Sequence, residues 1–413
     1  MRSTPLLAAA LLAALSPLAP AQEVIAPGFA VVSSAPPAVA FAPSDTLADG
    51  SRVYFDGFSV DLYDPAGAFV QNLGSTPAFV FAAFVEVDPT ETFAIVAESS
   101  GGAVYKAMLD GSGMAPLSTI QFSFDAVFEN ANDLLVSAAH FGVGNDILRL
   151  DTTTGAFTQV AVVPGWSGPL DLAPNGDLIY GESSVAGGRV LRFEASELTG
   201  PLPLDELDAD VLTDGLDGAA SLAVDPVFGN IFVTSNVWAV SGLLLELDAD
   251  GEIVDTIASG TNWLTELQFV ADSGPGHFHR YQPTGLRLRY SNGTDDVTLA
   301  PQQPILSHEH FGNYSTIHVT GAVPNAGALI LFGNQSYLVA PYSQQLAFDF
   351  LYHSDLEFSR IRRLGLRIPT DANGEASFSY FNPGGSTLGQ RWFQLLITDA
   401  NNLFVGASNS VVN

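Results

Sequence analysis

The chain has 413 residues, 47% of them hydrophobic, with 39 Gly and 25 Pro, which is enough apolar material for two domains or for one large repeat fold with an added module. Its 44 acids face only 14 bases, a net charge of −30 that excludes a nucleic-acid binder and a binder of anionic membranes, because phosphate surfaces need a basic partner. Cysteine is absent, which excludes disulfides, thiol catalysis and thiolate metal sites, so packing alone must hold the fold.

The chain begins MRSTPLLAAALLAALSPLAPAQ. Arg2 supplies a positive start, residues 6–15 are almost pure Leu and Ala, and Ala19-Pro20-Ala21 is a small-x-small cleavage site. Residues 1–21 are therefore expected to be a secretory signal peptide, with the protein secreted to the periplasm, cell surface or medium. The apolar run is too short for a bilayer, which needs about 20 residues, and Pro17 breaks it. No later transmembrane segment is expected.

Residues 22–37 read as an N-terminal extension. From there a two-hairpin unit recurs. Its first half is a short apolar strand, a turn of Asp, Pro, Asn or Gly, and a second apolar strand: FVEVDPTETFAIVAES at 84–99, FDAVFENANDLLVSAAH at 124–140, LDLAPNGDLIYGES at 170–183 and SLAVDPVFGNIFVTSN at 221–236. Looser copies are VAFAPSDTLADGSRVYFDG at 39–57 and LQFVADSGPGHFHRYQ at 267–282. A second hairpin follows each, as in LLLELDADGEIVDTI after 221–236. Six four-stranded units at a spacing of roughly 40–50 residues predict a six-bladed β-propeller over 38–301, since one such sheet cannot bury both faces alone.

Residues 302–413 do not repeat the unit. Alternating strands such as STIHVTGA and GALILFGN, with a turn at Asp371-Ala372-Asn373-Gly374, predict a C-terminal β-sandwich. This tail holds seven acids and five arginines, so nearly all the acidity belongs to the propeller. The expected fold class is all-β.

On LDLAPNGDLIYGES and SLAVDPVFGNIFVTSN, the blades resemble the NHL and SMP-30/gluconolactonase-like six-bladed propellers. The tail, on VTGAVPNAGALILFGN, LRIPTDANGEASFSY and WFQLLITDANNLFVGASNSVVN, resembles a small β domain appended to many secreted bacterial proteins. The lactonase resemblance implies a divalent cation in the channel, held by a Glu, one or two Asn and an Asp at the starts of inner strands. Ala220 and Gly168 stand at two of the ligand positions that this resemblance implies.

Alignment of the blades places Asp56, Glu98, His140, Glu182 and Asn236 just after the second strand of each, and these positions share one face of a propeller. Trp166 and Trp263 lie in loops opening on that face. A polar ring with tryptophans suits an unidentified small molecule, a glycan or a protein. Two H-x-H pairs, His277 with His279 and His308 with His310, are candidate zinc ligands. The acidic stretches 205–218 and 247–255 are candidates for calcium, although a plain hairpin accounts for the second.

No nucleophile elbow or phosphate loop is present, and no catalytic residue is assigned. The leading expectation is a non-enzymatic binding or interaction module. One alternative is a divalent-metal-dependent hydrolase or lactonase of the SMP-30 type. The other is a calcium-binding cell-surface or matrix component.

Overall fold

The computed structural model describes residues 23–413 apart from 41, 141–143, 164, 166, 184–186, 238–239, 272–277, 279–284, 303, 313, 334–341, 346–350, 355–361, 382–391, 399–403, 408–410 and 413. The predicted signal peptide lies outside the described residues. No helix among them is long and apolar enough to cross a membrane.

Six antiparallel sheets form in sequence order. Blade 1 is Ser44–Thr46, Arg52–Phe55, Ser59–Tyr63 and Phe69–Ser75. Blades 2 and 3 start on the inner strands Ala82–Val87 and Ser123–Phe128, and blades 4, 5 and 6 on Leu170–Leu172, Leu222–Val224 and Thr265–Ala271. The reason for stacking is visible in blade 2. Its second strand, Phe93–Glu98, is buried at every position. Alternate side chains leave opposite faces of a strand. Ala94 and Val96 pack towards blade 1 with Val53 and Phe55, while Ile95 and Ala97 pack towards blade 3 with Leu134 and Val136. Comparable apolar clusters fill the next three seams.

The seam between blades 6 and 1 differs. There Arg289, 2% exposed, donates to Thr46 Oγ1 at 2.6 Å and to the Gln268 carbonyl, and Arg52 pairs with Asp296. The ring is closed by polar contacts where elsewhere it is closed by apolar ones.

The turns carry their own explanation. The Asp248 carboxylate accepts from the amides of Asp250 and Glu252 at 3.0 and 2.9 Å. Gly251 follows at φ +89°, where a Cβ would lie 2.4 Å from the Leu212 carbonyl. This acidic turn is a hairpin device, as the sequence suggested.

Blade 6 corrects the sequence reading. Its second strand is Leu286–Ser291 and its third Asp296–Pro301, one strand later than the copy HFHRYQ implied. The fourth comes from the N-terminal extension: Phe29–Ala35 pairs antiparallel with Asp296–Pro301, and Val24–Ile25 adds to the outer edge of blade 5. The sequence distance between these partners hides the pairing from any local pattern. The Phe29 ring stacks on Phe278 at 5.0 Å with 9° between planes. Phe29→Ala is expected to cost about 3–5 kcal/mol, as for a buried aromatic truncation, read as a lower urea midpoint at unchanged m. An unchanged midpoint would show that the N-terminal strand does not close the ring.

After the propeller the chain forms a three-stranded sheet of Ile305–Phe311, Tyr314–Thr320 and Ala376–Phe381. A five-stranded sheet holds Arg362–Pro369, Gly327–Gly333, Trp392–Thr398, Phe404–Ala407 and Val411–Val412. The predicted Asp371 turn is present, its carboxylate accepting from the Asn373 and Glu375 amides at 2.8 Å.

Candidate functional site

The inner strands enclose a channel of about 920 Å³. Six carboxylates line it: Asp217, in the loop that enters blade 5, and five on inner strands, namely Asp45 of blade 1, Glu86 of blade 2, Asp125 of blade 3, Asp171 of blade 4 and Glu266 of blade 6. Glu86, Asp125 and Asp171 interrupt largely apolar inner strands, where the alternation that aims neighbouring residues into the seams aims these into the lumen, and Asp45 is the centre of the short polar strand Ser44–Thr46. Glu266 has φ +54° at a bulge between Thr265 and Gln268, a left-handed conformation that costs a non-glycine residue about 1 kcal/mol or more. Strain of that kind turns a side chain to a position that a regular strand does not offer.

Most of these inner-strand acids also stitch blades together. The Asp45 carboxylate accepts from the Val87 amide of blade 2 at 2.7 Å, and Asp125 from Leu170 of blade 4 at 3.0 Å. Asp171 accepts from Val224 of blade 5 at 2.7 Å, and Glu266 from Ser44 of blade 1 at 3.4 Å. In blade 5 a hydroxyl does the same, Ser221 Oγ accepting from the Leu267 amide at 2.7 Å. Inner strands of neighbouring blades do not share a ladder, so their outward amides need such acceptors. Glu86 is the exception, with no hydrogen-bond partner among the described residues.

Electrostatics separates the five. Burial raises all of them above the ordinary carboxylate range. Asp125 is pushed up to about 7, with Glu266 and Asp171 adding to the effect of burial against two backbone hydrogen bonds. Glu266 reaches about 7 and Asp171 about 6. Asp45 is raised by burial and held back by the Val87 and Thr46 amides, by Arg289 and by Gln268. Glu86 is driven well above its usual range by burial and then by the charges of Asp45, Asp125 and Asp171, with nothing opposing. Arg289 is lowered to about 10, chiefly by its own burial and then by Arg52. The channel is thus a set of acids in different protonation states near neutral pH.

The residues singled out in the sequence fall elsewhere or at the rim. Asn236 and Trp263 line the channel mouth. Asn236 is itself engaged, donating to the Leu264 carbonyl at 2.9 Å and accepting from the Leu264 amide at 3.0 Å. Asp56 is exposed and caps the next turn, accepting from the Phe58 and Ser59 amides at 2.7 Å. Glu98, 8% exposed, accepts from the Ala103 amide at 3.0 Å. Glu182, 5% exposed, is held by Arg189 through two hydrogen bonds of 2.9 and 2.6 Å, and Arg189 also reaches Glu206. Trp166, His277 and His279 lie outside the described residues, as do the side chains of His140 and His310. His308 is half-buried in the strand Ile305–Phe311. Asp56, Glu98 and Glu182 serve their own blades in this arrangement and do not line the channel.

Among the described residues no group of three or more His, Asp or Glu side chains is placed to hold a metal ion. Three of the 205–218 acids are used locally: Asp205 accepts from the Leu207 amide at 2.7 Å, Asp208 from the Asp205 amide at 2.8 Å, and Asp210 pairs with Arg192 at 2.7 Å, while Asp217 lines the channel. The cation site implied by the lactonase resemblance also fails at Gly168. A Cβ there would sit 1.7 Å from the Gly181 carbonyl oxygen, so no ligating side chain fits. The residues present do not suit that cation.

The channel carboxylates had a sequence signal that strand-end alignment passes over. In VEV, FDAV and LDL an acid breaks an apolar strand shortly before its turn.

No family model matches the chain, and no curated protein matches it. Among solved structures it is similar to a gluconolactonase from Xanthomonas campestris, at 14% identity and TM-score 0.50, over 68% of this chain and 96% of that one. It is also similar to a calcium-binding protein, regucalcin, from Agrobacterium tumefaciens, at 14% identity and TM-score 0.46, over 68% and 96% of the two chains. A luciferin-regenerating enzyme matches at 10% identity and TM-score 0.46, over 66% and 94%. The chain is a propeller of the fold that the blade resemblance implied. The expectation of a non-enzymatic binding module is corrected here, because the gluconolactonase likeness and the acids found in the channel fit the hydrolase alternative better.

Proposed function

We propose that the propeller is a hydrolase that opens an uncharged lactone or ester in its central channel, with carboxyl groups as acid and base. The observation that carries this reading is the gathering of five inner-strand carboxyl groups, with split proton affinities, around one cavity of about 920 Å³. The likeness in fold to a gluconolactonase supports it. The acidic lumen repels anions and suits a neutral substrate. The Leu/Ala leader supports placing the protein outside the cytoplasm.

The roles follow from protonation. Asp171, at about 6, is ionised at neutral pH and takes a proton from water as its oxygen attacks the carbonyl carbon. Glu86 keeps its proton under the influence of burial and of its acidic neighbours, and gives it to the alkoxide as the ring C–O bond breaks. Asp171 then returns the proton it gained to Glu86 through channel water, which restores both groups. No step passes through a metal ion.

Hydrolysis of uncharged five- and six-membered lactones, followed by proton release at constant pH, tests the reading. The kcat/KM of the wild type is expected to rise through about pH 6 with Asp171 ionisation, and Asp171→Asn is expected to abolish that limb. No turnover of any lactone or neutral ester between pH 5 and 9 would overturn the assignment.

A further inference from the structure

Three phenylalanines stand in solvent on the face where the channel opens at Asn236 and Trp263. Phe58, Phe79 and Phe81 are 54%, 51% and 64% exposed. They touch one another: Phe58 and Phe79 centroids are 4.9 Å apart at 48°, and Phe79 and Phe81 are 5.4 Å apart at 75°. Three exposed aromatics in mutual contact are unusual on a soluble domain, and more so on one of this charge.

The segment that carries them is braced. Thr76 Oγ1 donates within 3.0 Å of the Gly57 and Ala78 carbonyls, and the Thr76 amide donates to the Phe58 carbonyl at 2.8 Å. The Val80 amide donates to the Gly57 carbonyl at 3.0 Å. Gly57 is at φ +87°, and a Cβ there would come within 2.1 Å of the Val80 carbonyl and 3.0 Å of the Phe79 ring. The rings are therefore fixed in their exposed positions before any ligand arrives, which lowers the entropic cost of binding.

The ledge is also continuous with the channel. Ala82 and Ala83, immediately after Phe81, line the lumen on the strand that carries Glu86. The Phe81 carbonyl accepts at 2.8 Å from the amide of Ser99, another lining residue. A molecule whose reacting carbonyl sits in the channel can lay the remainder of its length along these rings.

We propose that Phe58, Phe79 and Phe81 form a subsite for the apolar alkyl tail of the substrate, so that the enzyme prefers long-chain lactones or esters to short ones. This inference rests on the hydrolase reading. The occupant is an alkyl chain because the ledge is all ring, with the carboxylate of Asp56, two residues before Phe58, already turned back onto the Phe58 and Ser59 amides.

The test compares γ-decalactone with γ-butyrolactone on the wild type and on the Phe58→Ala/Phe79→Ala/Phe81→Ala variant. Each methylene buried on the ledge is expected to raise kcat/KM by roughly threefold. The triple variant is expected to lose the long-chain preference, tenfold or more, and to keep its activity on γ-butyrolactone within about twofold. Phe81→Ser alone, at the most exposed of the three rings, is expected to reduce the preference by about threefold and serves if the triple variant folds poorly. Calorimetric binding of neutral N-octylacetamide separates the two layers of inference. If no lactone is turned over but the wild type binds this probe and the triple variant does not, the hydrolase reading fails and the tail subsite stands. If the wild type neither prefers γ-decalactone nor binds the probe, or if both behaviours survive in the triple variant, the subsite is overturned. It is overturned equally if sedimentation shows the wild type to be a dimer that the triple variant dissolves, since the ledge is then a protein interface.

Discussion

Glu86→Gln is expected to lower kcat on an uncharged lactone by about 10²–10⁴-fold, the range for loss of a general acid, while leaving the melting temperature unchanged or higher. The two halves of this result come from one fact. Glu86 stitches no neighbouring strand, whereas Asp45, Asp125, Asp171 and Glu266 each accept an amide from the next blade. Replacing it with a neutral isostere removes a proton donor and, wherever the carboxyl would have ionised, relieves repulsion from Asp45, Asp125 and Asp171. Gln offers an N–H that can still polarise a carbonyl but cannot transfer a proton to the leaving oxygen. Loss of kcat with an unchanged KM is therefore the expected signature. A variant with wild-type kcat would remove Glu86 from the chemistry.

The second large effect is on stability against pH. Asp125, Glu266 and Asp171 bind protons more tightly in the folded chain than in the unfolded one, at about 7, 7 and 6 against ordinary values near 4. For raised acids the contribution to stability is complete below the unfolded value and is lost as pH rises through the folded value. Stability is therefore expected to fall from about pH 4 to about pH 7 and to level off above. Each tenfold in proton affinity is worth about 1.4 kcal/mol, so the three groups together amount to several kcal/mol. Asp88 works the other way: burial resists its ionisation, but bonds from Thr90, Phe93 and Thr92 outweigh burial and lower it. Its stabilisation is lost below its unfolded value, which sets an acid limit. Calorimetric melting between pH 4 and 8 reads this directly.

Surface repulsion at a net charge of −30 has the same sign, so salt must separate the two. Added salt at pH 7.5 screens the surface and restores only part of the loss. Asp125→Asn should flatten the curve while its side-chain carbonyl still accepts from the Leu170 amide. A melting temperature independent of pH over this range, or one that rises with it, contradicts the buried-acid account.

Most of the fold was legible in the sequence, and the reasons are local. Hairpins such as LDLAPNGDLIYGES announce themselves through alternation and turn residues that lie next to one another. Blade 6 was harder, because its outer strand Phe29–Ala35 precedes its partner by most of the propeller's length, and no local pattern joins them. The strand-end acids fall away from the channel for a related reason. Glu182 sits after its strand as its counterparts do, but Arg189 lies seven residues on and takes it into a pair within the blade. Asp171, in the same hairpin, is the residue that reaches the lumen.

By itself the sequence determined the all-β class, the six repeats, the turn chemistry and the concentration of acid on the repeat domain. Each is a property of neighbours within a few residues or of composition. Only the tertiary structure decided which acids meet. Asp45, Glu86, Asp125, Asp171 and Glu266 are tens of residues apart in the chain and become neighbours because six radial sheets point their inner strands at one axis. Their raised proton affinities have the same origin, since burial in the closed ring and the charges of other blades do not exist until the N-terminal strand completes blade 6 and closes it.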